Sequence, residues 1–173
     1  MRALIAFSCL IIFVVTGGFN SQLQTEPIEM KGMVDRHNYW RARVGVGPVD
    51  WSDTVAKYAQ AWANELARRG CEMEHRPRTG EWKQIYGENL YWSSGMKREA
   101  THVVDSWASE LEYYDEKKQE CKEEWWKCGH YTQVVWANSN EIGCAMARCG
   151  NVEIWVCNYN PPGNWVGQKP YPK

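Results

Sequence analysis

The segment Gly129-His130-Tyr131-Thr132-Gln133-Val134-Val135-Trp136 follows Cys128 and places a histidine at the head of a run of β-branched and aromatic residues. Such runs are typical of strands, so we predict a strand from Tyr131 to Trp136. Two further strands are predicted downstream, from Ile142 to Arg148 and from Val152 to Tyr159. Gly150-Asn151 between them is typical of a tight hairpin turn. The last third of the chain is therefore expected to form an antiparallel sheet.

Upstream of this region, apolar residues recur at helical spacing in three segments. The first segment runs from Glu29 to Val44. The second is capped by Ser52 or Asp53 and ends at Gly70, and the third carries the apolar positions from Ala100 to Leu111. Helices followed by strands indicate an α+β fold.

The first residues of the chain have the pattern of an export signal. Met1-Arg2 is followed by an apolar run from Ala3 to Val15, and the small residues Thr16-Gly17-Gly18 come next. The apolar run is too short to span a bilayer, which makes a membrane anchor the weaker alternative. We therefore predict a secretory signal peptide over residues 1–18, a single domain over residues 19–173, and a secreted, extracellular, monomeric protein.

The charge balance excludes some classes of partner. The chain has 20 Lys and Arg residues against 21 Asp and Glu residues, with a net charge of −1. No tract of basic residues is present. Binding to nucleic acid or to an anionic membrane surface needs such a tract, so neither is expected.

Cysteine usage predicts a cross-linked domain. Cys9 lies in the predicted signal peptide, which leaves six of the seven cysteines in the mature chain. An even number in an exported protein indicates three disulfides, and six cysteines allow 15 pairings. A zinc cluster is the competing interpretation, but the sequence has no Cys-x-x-Cys pair.

Four segments in a fixed order resemble one known family. They are His37-Asn38-Tyr39-Trp40-Arg41, Gly87-Glu88-Asn89-Leu90, the 129–136 segment, and Ile154-Trp155-Val156-Cys157-Asn158-Tyr159-Asn160-Pro161-Pro162-Gly163-Asn164-Trp165. Together they are similar to the CAP superfamily of cysteine-rich secretory, antigen 5 and pathogenesis-related 1 proteins. The resemblance implies a three-layer α-β-α sandwich with a central antiparallel sheet. It also implies three disulfide pairs: Cys71–Cys149, Cys121–Cys128 and Cys144–Cys157.

The resemblance further implies a cleft formed by two histidines and two glutamates, His37, Glu88, Glu110 and His130. His37 and His130 would bind a divalent metal weakly, with zinc the best candidate, and the glutamates would orient the imidazole rings. Alternatively, the two histidines are core residues whose ring nitrogens the glutamates satisfy. His75 is expected to be structural.

Two kinds of function remain open. The sequence has no Gly-x-Ser-x-Gly, no His-Glu-x-x-His and no unpaired mature cysteine. A catalytic site would therefore need a metal-activated water with Glu88 or Glu110 as general base, which describes a metal-dependent hydrolase or peptidase. We favour a non-catalytic extracellular binding protein in defence, venom, saliva or signalling.

Aromatic residues support the binding interpretation. Eleven Trp and nine Tyr residues exceed what a core of this size needs, so some are expected to line a binding surface. The candidate ligand is a lipid or sterol-like molecule, or an extracellular protein partner. The charged stretch between Asp115 and Glu124 is expected to be a solvated loop, and its charge disfavours a sterol.

Overall fold

A computed structural model describes residues 24–172. The predicted signal peptide lies outside the described residues. The described chain forms four α-helices: α1 (Met33–Arg43), α2 (Asp53–Arg68), α3 (Ala100–Ala108) and α4 (Gly129–Val134). It also forms six strands: β1 (Asp50–Trp51), β2 (Gly87–Ser94), β3 (Tyr114–Asp115), β4 (Glu120–Cys121), β5 (Glu141–Cys149) and β6 (Val152–Asn160). Short 3₁₀ turns cover Ile28–Met30, Ser109–Tyr113 and Trp125–Lys127.

The main sheet has the strand order β1-β5-β6-β2. The predicted hairpin is confirmed, because β5 and β6 pair antiparallel with Cys149 opposite Val152 across the turn. β2, which was recognised only as a sequence motif, pairs antiparallel with β6 and places Gly87 opposite Tyr159. β1 runs parallel to β5, so the sheet is antiparallel except at this two-residue edge.

Helices cover both faces of the sheet and produce the expected α-β-α layers. Alternate residues of β6 face opposite cores, as the pleat of a strand requires. Ile154 and Val156 pack with Trp62 and other residues of α2 on one face. Trp155 and Tyr159 belong to the core on the other face, which is built with α1, α3 and α4. Between residues 24 and 172, no helix is long and apolar enough to cross a membrane.

The predicted strand from Tyr131 to Trp136 is wrong, because the chain forms α4 over most of this segment. The side chain of Glu110 accepts hydrogen bonds from the backbone N–H groups of His130 and Tyr131, at 2.8 and 3.3 Å, at the start of the helix. At its end, the carbonyl of Val134 accepts from Arg41. Side chains distant in sequence thus satisfy both helix ends and override the strand preference of the local residues.

The structure contains the three disulfides that the resemblance implies. Cys71–Cys149 joins the end of α2 to the end of β5, and Cys144–Cys157 crosses between β5 and β6. Cys121–Cys128 closes a seven-residue separation around the 3₁₀ turn that carries Trp125. The charged stretch before it is not an irregular loop, because β3 and β4 pair within it.

The buried face of α1 carries Arg41, whose guanidinium fixes the chain after α4. Arg41 Nη1 donates to the carbonyls of Val134 and Trp136, at 3.1 and 2.8 Å, and Nη2 donates to the carbonyl of Ser139 at 2.8 Å. Nε donates to the carbonyl of Gly47 at 2.7 Å. Burial lowers the pKa of Arg41 to about 10, which leaves the side chain charged at neutral pH.

His37 lies one turn before Arg41 and is fully buried. Its Nδ1 lies 2.8 Å from the carbonyl oxygen of Met33, which can only accept, so Nδ1 carries the proton. Nε2 then accepts from the Tyr159 hydroxyl at 2.9 Å, and this hydroxyl in turn accepts from Asn89 Nδ2 at 3.1 Å. Burial lowers the pKa of His37 to about 4, so the imidazole is neutral in this network.

We predict that Arg41→Met destabilises the domain by about 3 kcal/mol or more, because several buried carbonyls lose their donor at once. Urea denaturation followed by tryptophan fluorescence measures the change. Arg43→Met on the same helix is the matched control, since Arg43 is exposed, and it should change stability by no more than about 0.5 kcal/mol. Equal effects of the two substitutions would contradict this role for Arg41.

We also predict that protonation of His37 destabilises the fold between about pH 6.5 and pH 4. The unfolded imidazole binds a proton near pH 6.5, whereas the folded one does so only near pH 4. Stability from this group is therefore complete above pH 6.5 and is lost as the pH falls, by roughly 2–3 kcal/mol at pH 4.5.

Denaturation midpoints of the wild type and of His37→Gln, measured at pH 7.5 and pH 4.5, test this linkage. The His37→Gln protein should be less stable than the wild type at pH 7.5. It should lose less stability than the wild type between pH 7.5 and pH 4.5. His102→Gln, at an exposed position of α3, should keep the wild-type dependence. If His37→Gln retains the full acid dependence, another group is responsible.

Candidate functional site

His130 and Glu110 form the first histidine–carboxylate pair. His130 is the second residue of α4, and Glu110 lies in the 3₁₀ turn that follows α3. Glu110 Oε1 lies 2.7 Å from His130 Nδ1, while Oε2 accepts from the His130 backbone N–H at 2.8 Å. The His130 ring lies nearly parallel to that of Trp107, with the ring centroids 6.4 Å apart. One carboxylate therefore fixes both the helix start and the ring orientation.

Glu88 on β2 forms the second pair, and its partner is His75. Glu88 Oε1 lies 2.8 Å from His75 Nδ1 and accepts from the backbone N–H of Arg76 at 3.0 Å. Glu88 Oε2 accepts from Asn158 Nδ2 at 3.3 Å and lies 4.0 Å from Arg76 Nε. The carboxylate is fully buried, whereas the His75 side chain is about half exposed.

Arg76, which follows His75 in the chain, is part of this arrangement. Its guanidinium lies 3.6 Å from the centre of the Tyr58 ring and about 5.3 Å from that of Trp82. The Arg76 guanidinium is therefore held between aromatic rings beside Glu88. The Nε atom of Arg76 has no hydrogen-bond partner among the described residues.

The structure thus brings together three of the four predicted cleft residues in pairs, and it places His75 rather than His37 beside Glu88. His37 is enclosed in the core with both ring nitrogens engaged by Met33 and Tyr159. It is a core histidine, as the alternative interpretation supposed, although no glutamate satisfies it. The signal that could have identified His75 is its position in the loop between α2 and β2, the strand that carries Glu88.

Asn89 connects the two pairs through the backbone. It follows Glu88 on β2, and its Nδ2 donates to the carbonyl oxygen of His130 at 3.1 Å as well as to the Tyr159 hydroxyl. The start of β2 is therefore held at a fixed position relative to α4. Both pairs depend on this placement.

The donor set limits what metal the site could hold. Because an ionised carboxylate only accepts, the Nδ1 atoms of His75 and His130 carry protons and their Nε2 atoms keep free electron pairs. Neither Nε2 atom has a hydrogen-bond partner within residues 24–172. In the same part of the chain, no group of three or more His, Cys, Asp or Glu side chains is arranged to hold a metal ion. The chemistry fits a weakly held ion with two imidazole ligands, and it falls short of a three-ligand catalytic centre.

Large apolar side chains are exposed beside His130. We call Trp125, Trp126, Trp165 and Val166 the aromatic rim. The exposed fractions of Trp125 and Trp165 are 72% and 55%, and Val166 is fully exposed.

Two chain segments carry the rim, and they meet at Gly129, the first residue of α4. A Cβ atom on Gly129 would lie 3.7 Å from the Trp125 ring. Asn164, which precedes Trp165, donates from Nδ2 to the Gly129 carbonyl at 2.7 Å and accepts from Thr132 Oγ1 at 2.8 Å. The aromatic rim and His130 therefore both lie at the start of α4.

Comparison with known proteins agrees with this geometry. Residues 34–159 match the CAP family, the cysteine-rich secretory protein family. Pathogenesis-related protein 1C of Nicotiana tabacum is 46% identical over 139 residues, covering 80% of this chain and 78% of the relative. Pathogenesis-related protein 1 of Arabidopsis thaliana is 42% identical over 139 residues, covering 80% of each chain.

A solved structure shows the same fold. BmVAL-1 superposes with a TM-score of 0.69 at 26% sequence identity, covering 86% of this chain and 84% of that one. The sequence match spans well over half of the chain and includes every strand of the main sheet. This chain belongs to the CAP family and is similar to its pathogenesis-related 1 members.

Proposed function

We propose that this chain is an extracellular, defence-type binding protein that takes a small apolar ligand at the aromatic rim and has no catalytic activity. The names of its plant relatives support the defence role. Three disulfides support an extracellular location, since such bonds persist in oxidising compartments.

The exposure of the aromatic rim carries the proposal. Soluble proteins seldom leave several large apolar side chains exposed together unless the surface binds something. The rim lies on a rigid base, because the Cys121–Cys128 disulfide and the hydrogen bonds of Asn164 fix both contributing segments. A fixed apolar surface loses little conformational freedom when a ligand covers it.

The ligand is expected to be uncharged over its buried part. Lys122, Glu123, Glu124 and Lys127 lie beside the rim tryptophans and their charges sum to zero. This surface therefore has no excess charge that would favour an ionic ligand.

The contacts of the two carboxylates argue against catalysis. Glu110 accepts from His130 and from two backbone N–H groups, and Glu88 accepts from His75, Arg76 and Asn158. A general base needs a free electron pair directed at the proton that it removes. Carboxylates engaged in this way act as holders of the histidines, which disfavours the alternative of a metal-dependent hydrolase.

The rim is tested with N-phenyl-1-naphthylamine, a neutral apolar dye whose fluorescence rises on binding. We predict that Trp125→Ser weakens binding roughly tenfold, since the dye would lose about 1.5–2 kcal/mol of apolar contact. Trp92→Ser is the matched control, because Trp92 is also an exposed tryptophan but lies on β2. This variant should bind the dye with the affinity of the wild type. Equal losses in both variants, or no loss in Trp125→Ser, would reject the rim as the binding surface.

We propose as a second function that His75 and His130 hold a divalent ion such as zinc with low affinity, through their Nε2 atoms. Each histidine would supply one imidazole ligand to the ion, and its glutamate would hold the ring in place. The free electron pairs on both Nε2 atoms favour this proposal. Neutral imidazole is required, so affinity should fall below about pH 6.

Zinc titration followed by NMR of the histidine side chains tests this site. His75→Ala or His130→Ala should abolish binding, and Glu110→Gln should weaken it roughly 10–100-fold. His37→Gln and His102→Ala should bind zinc as the wild type does. Loss of binding in a folded His37→Gln protein would instead assign a ligand role to His37.

A further inference from the structure

The outer edge of β5 has no strand partner over most of its length. β1 pairs only with Glu141 and Ile142 at the start of β5. Among the described residues, no other strand lies on that side from Gly143 to Cys149. The exposed backbone of an edge strand is a template on which another extended chain can pair.

Two independent observations fix which backbone groups face outward. The carbonyl of Ile142 accepts from Ser52 N–H at 2.8 Å, so it points away from β6. Cys144 and Cys157 lie opposite each other with Cα atoms 4.1 Å apart, the close spacing of a non-hydrogen-bonded pair. Because the direction alternates along a strand, the N–H and C=O groups of Cys144, Met146 and Arg148 face the free side.

This edge forms the floor of a groove of about 410 Å³. One wall is the N-terminal segment at Pro27 and Met30, and the other is α2 at Gln60. The N-terminal wall is anchored, because the Glu26 carboxylate accepts from the backbone N–H of Gly32 and of Val34. The groove is therefore a fixed channel along the strand.

We propose that this groove binds an extended peptide segment of another protein, which adds to the sheet beside β5. Cys144 is only 3% exposed, so the accessible backbone groups are those of Met146 and Arg148, which can pair with about three residues of a peptide.

Recognition at this groove depends mainly on backbone hydrogen bonds, and the exposed side chain of Glu29 adds one negative charge to its lining. The one cation on its floor, Arg148, is neutralised by Glu153, with Nη2 and Oε1 2.9 Å apart. Ala145 and Ala147 are small and leave room for side chains of the peptide. The groove is independent of the histidine pairs and the rim. β2, which carries Glu88, forms the opposite edge of the sheet. The Leu90 carbonyl on β2 already accepts a hydrogen bond from Trp107 Nε1 at 2.8 Å.

A display library of random heptapeptides, selected on the folded protein, supplies the probe. The strongest binder is then synthesised and its affinity measured by fluorescence anisotropy. Gln60→Trp, which fills the groove from α2, should weaken binding at least tenfold. Ala61→Trp is the matched control, because Ala61 is exposed on the same helix and does not line the groove, and it should bind as the wild type does.

A second measurement tests the pairing itself. The same peptide with alternate amides N-methylated on one edge should lose binding, and the bound unmodified peptide should slow hydrogen exchange at Met146 and Arg148. The proposal is overturned if no peptide is selected, or if the selected peptide binds Gln60→Trp as tightly as the wild type. Self-association that Gln60→Trp abolishes would assign the groove to a second copy of the chain and would also overturn it.

Discussion

The need to satisfy the polar side chains buried on α1 organises much of this domain. His37 and Arg41 lie one turn apart on the inward face of α1, where Met33 is the other buried residue. Arg41 bonds the chain that follows α4, while His37 reaches Tyr159 on β6 and, through its hydroxyl, Asn89 on β2. One helix, two strands and a loop are thus held by groups that would be costly to leave without partners. The way in which these elements pack is therefore determined by hydrogen-bond geometry as well as by apolar contact.

The same logic explains why the candidate site is rigid. Glu110 and Glu88 each hold a histidine and one or more backbone N–H groups, so displacement of either imidazole would also disturb the chain around it. Asn89 ties the network of α1 to the helix that carries His130. The site residues are therefore positioned by the core.

Sequence reasoning succeeded where local pattern and tertiary structure agree. The periodicity of α2 and the β5–β6 hairpin were visible because each element has one buried face and a turn or stop signal. The strand predicted at Tyr131–Trp136 was wrong because Glu110 and Arg41, far away in sequence, satisfy the ends of a helix there. The pairing of His75 with Glu88 could not be predicted for a related reason: the two residues are 13 positions apart across a loop, and periodicity carries no information about such contacts.

The central strands of the sheet come last in the chain, and this order constrains how the protein can fold. β2 pairs only with β6 in the described chain, so it has no strand partner until β6 has been made, and α2 packs on β5 and β6, which are also made late. Contacts between such distant segments make folding slow compared with that of a helical bundle of the same size. The first two thirds of a nascent chain should therefore stay open, and collapse into the native layers should await its completion. A truncation before β6 would remove the strand on which both α2 and β2 depend.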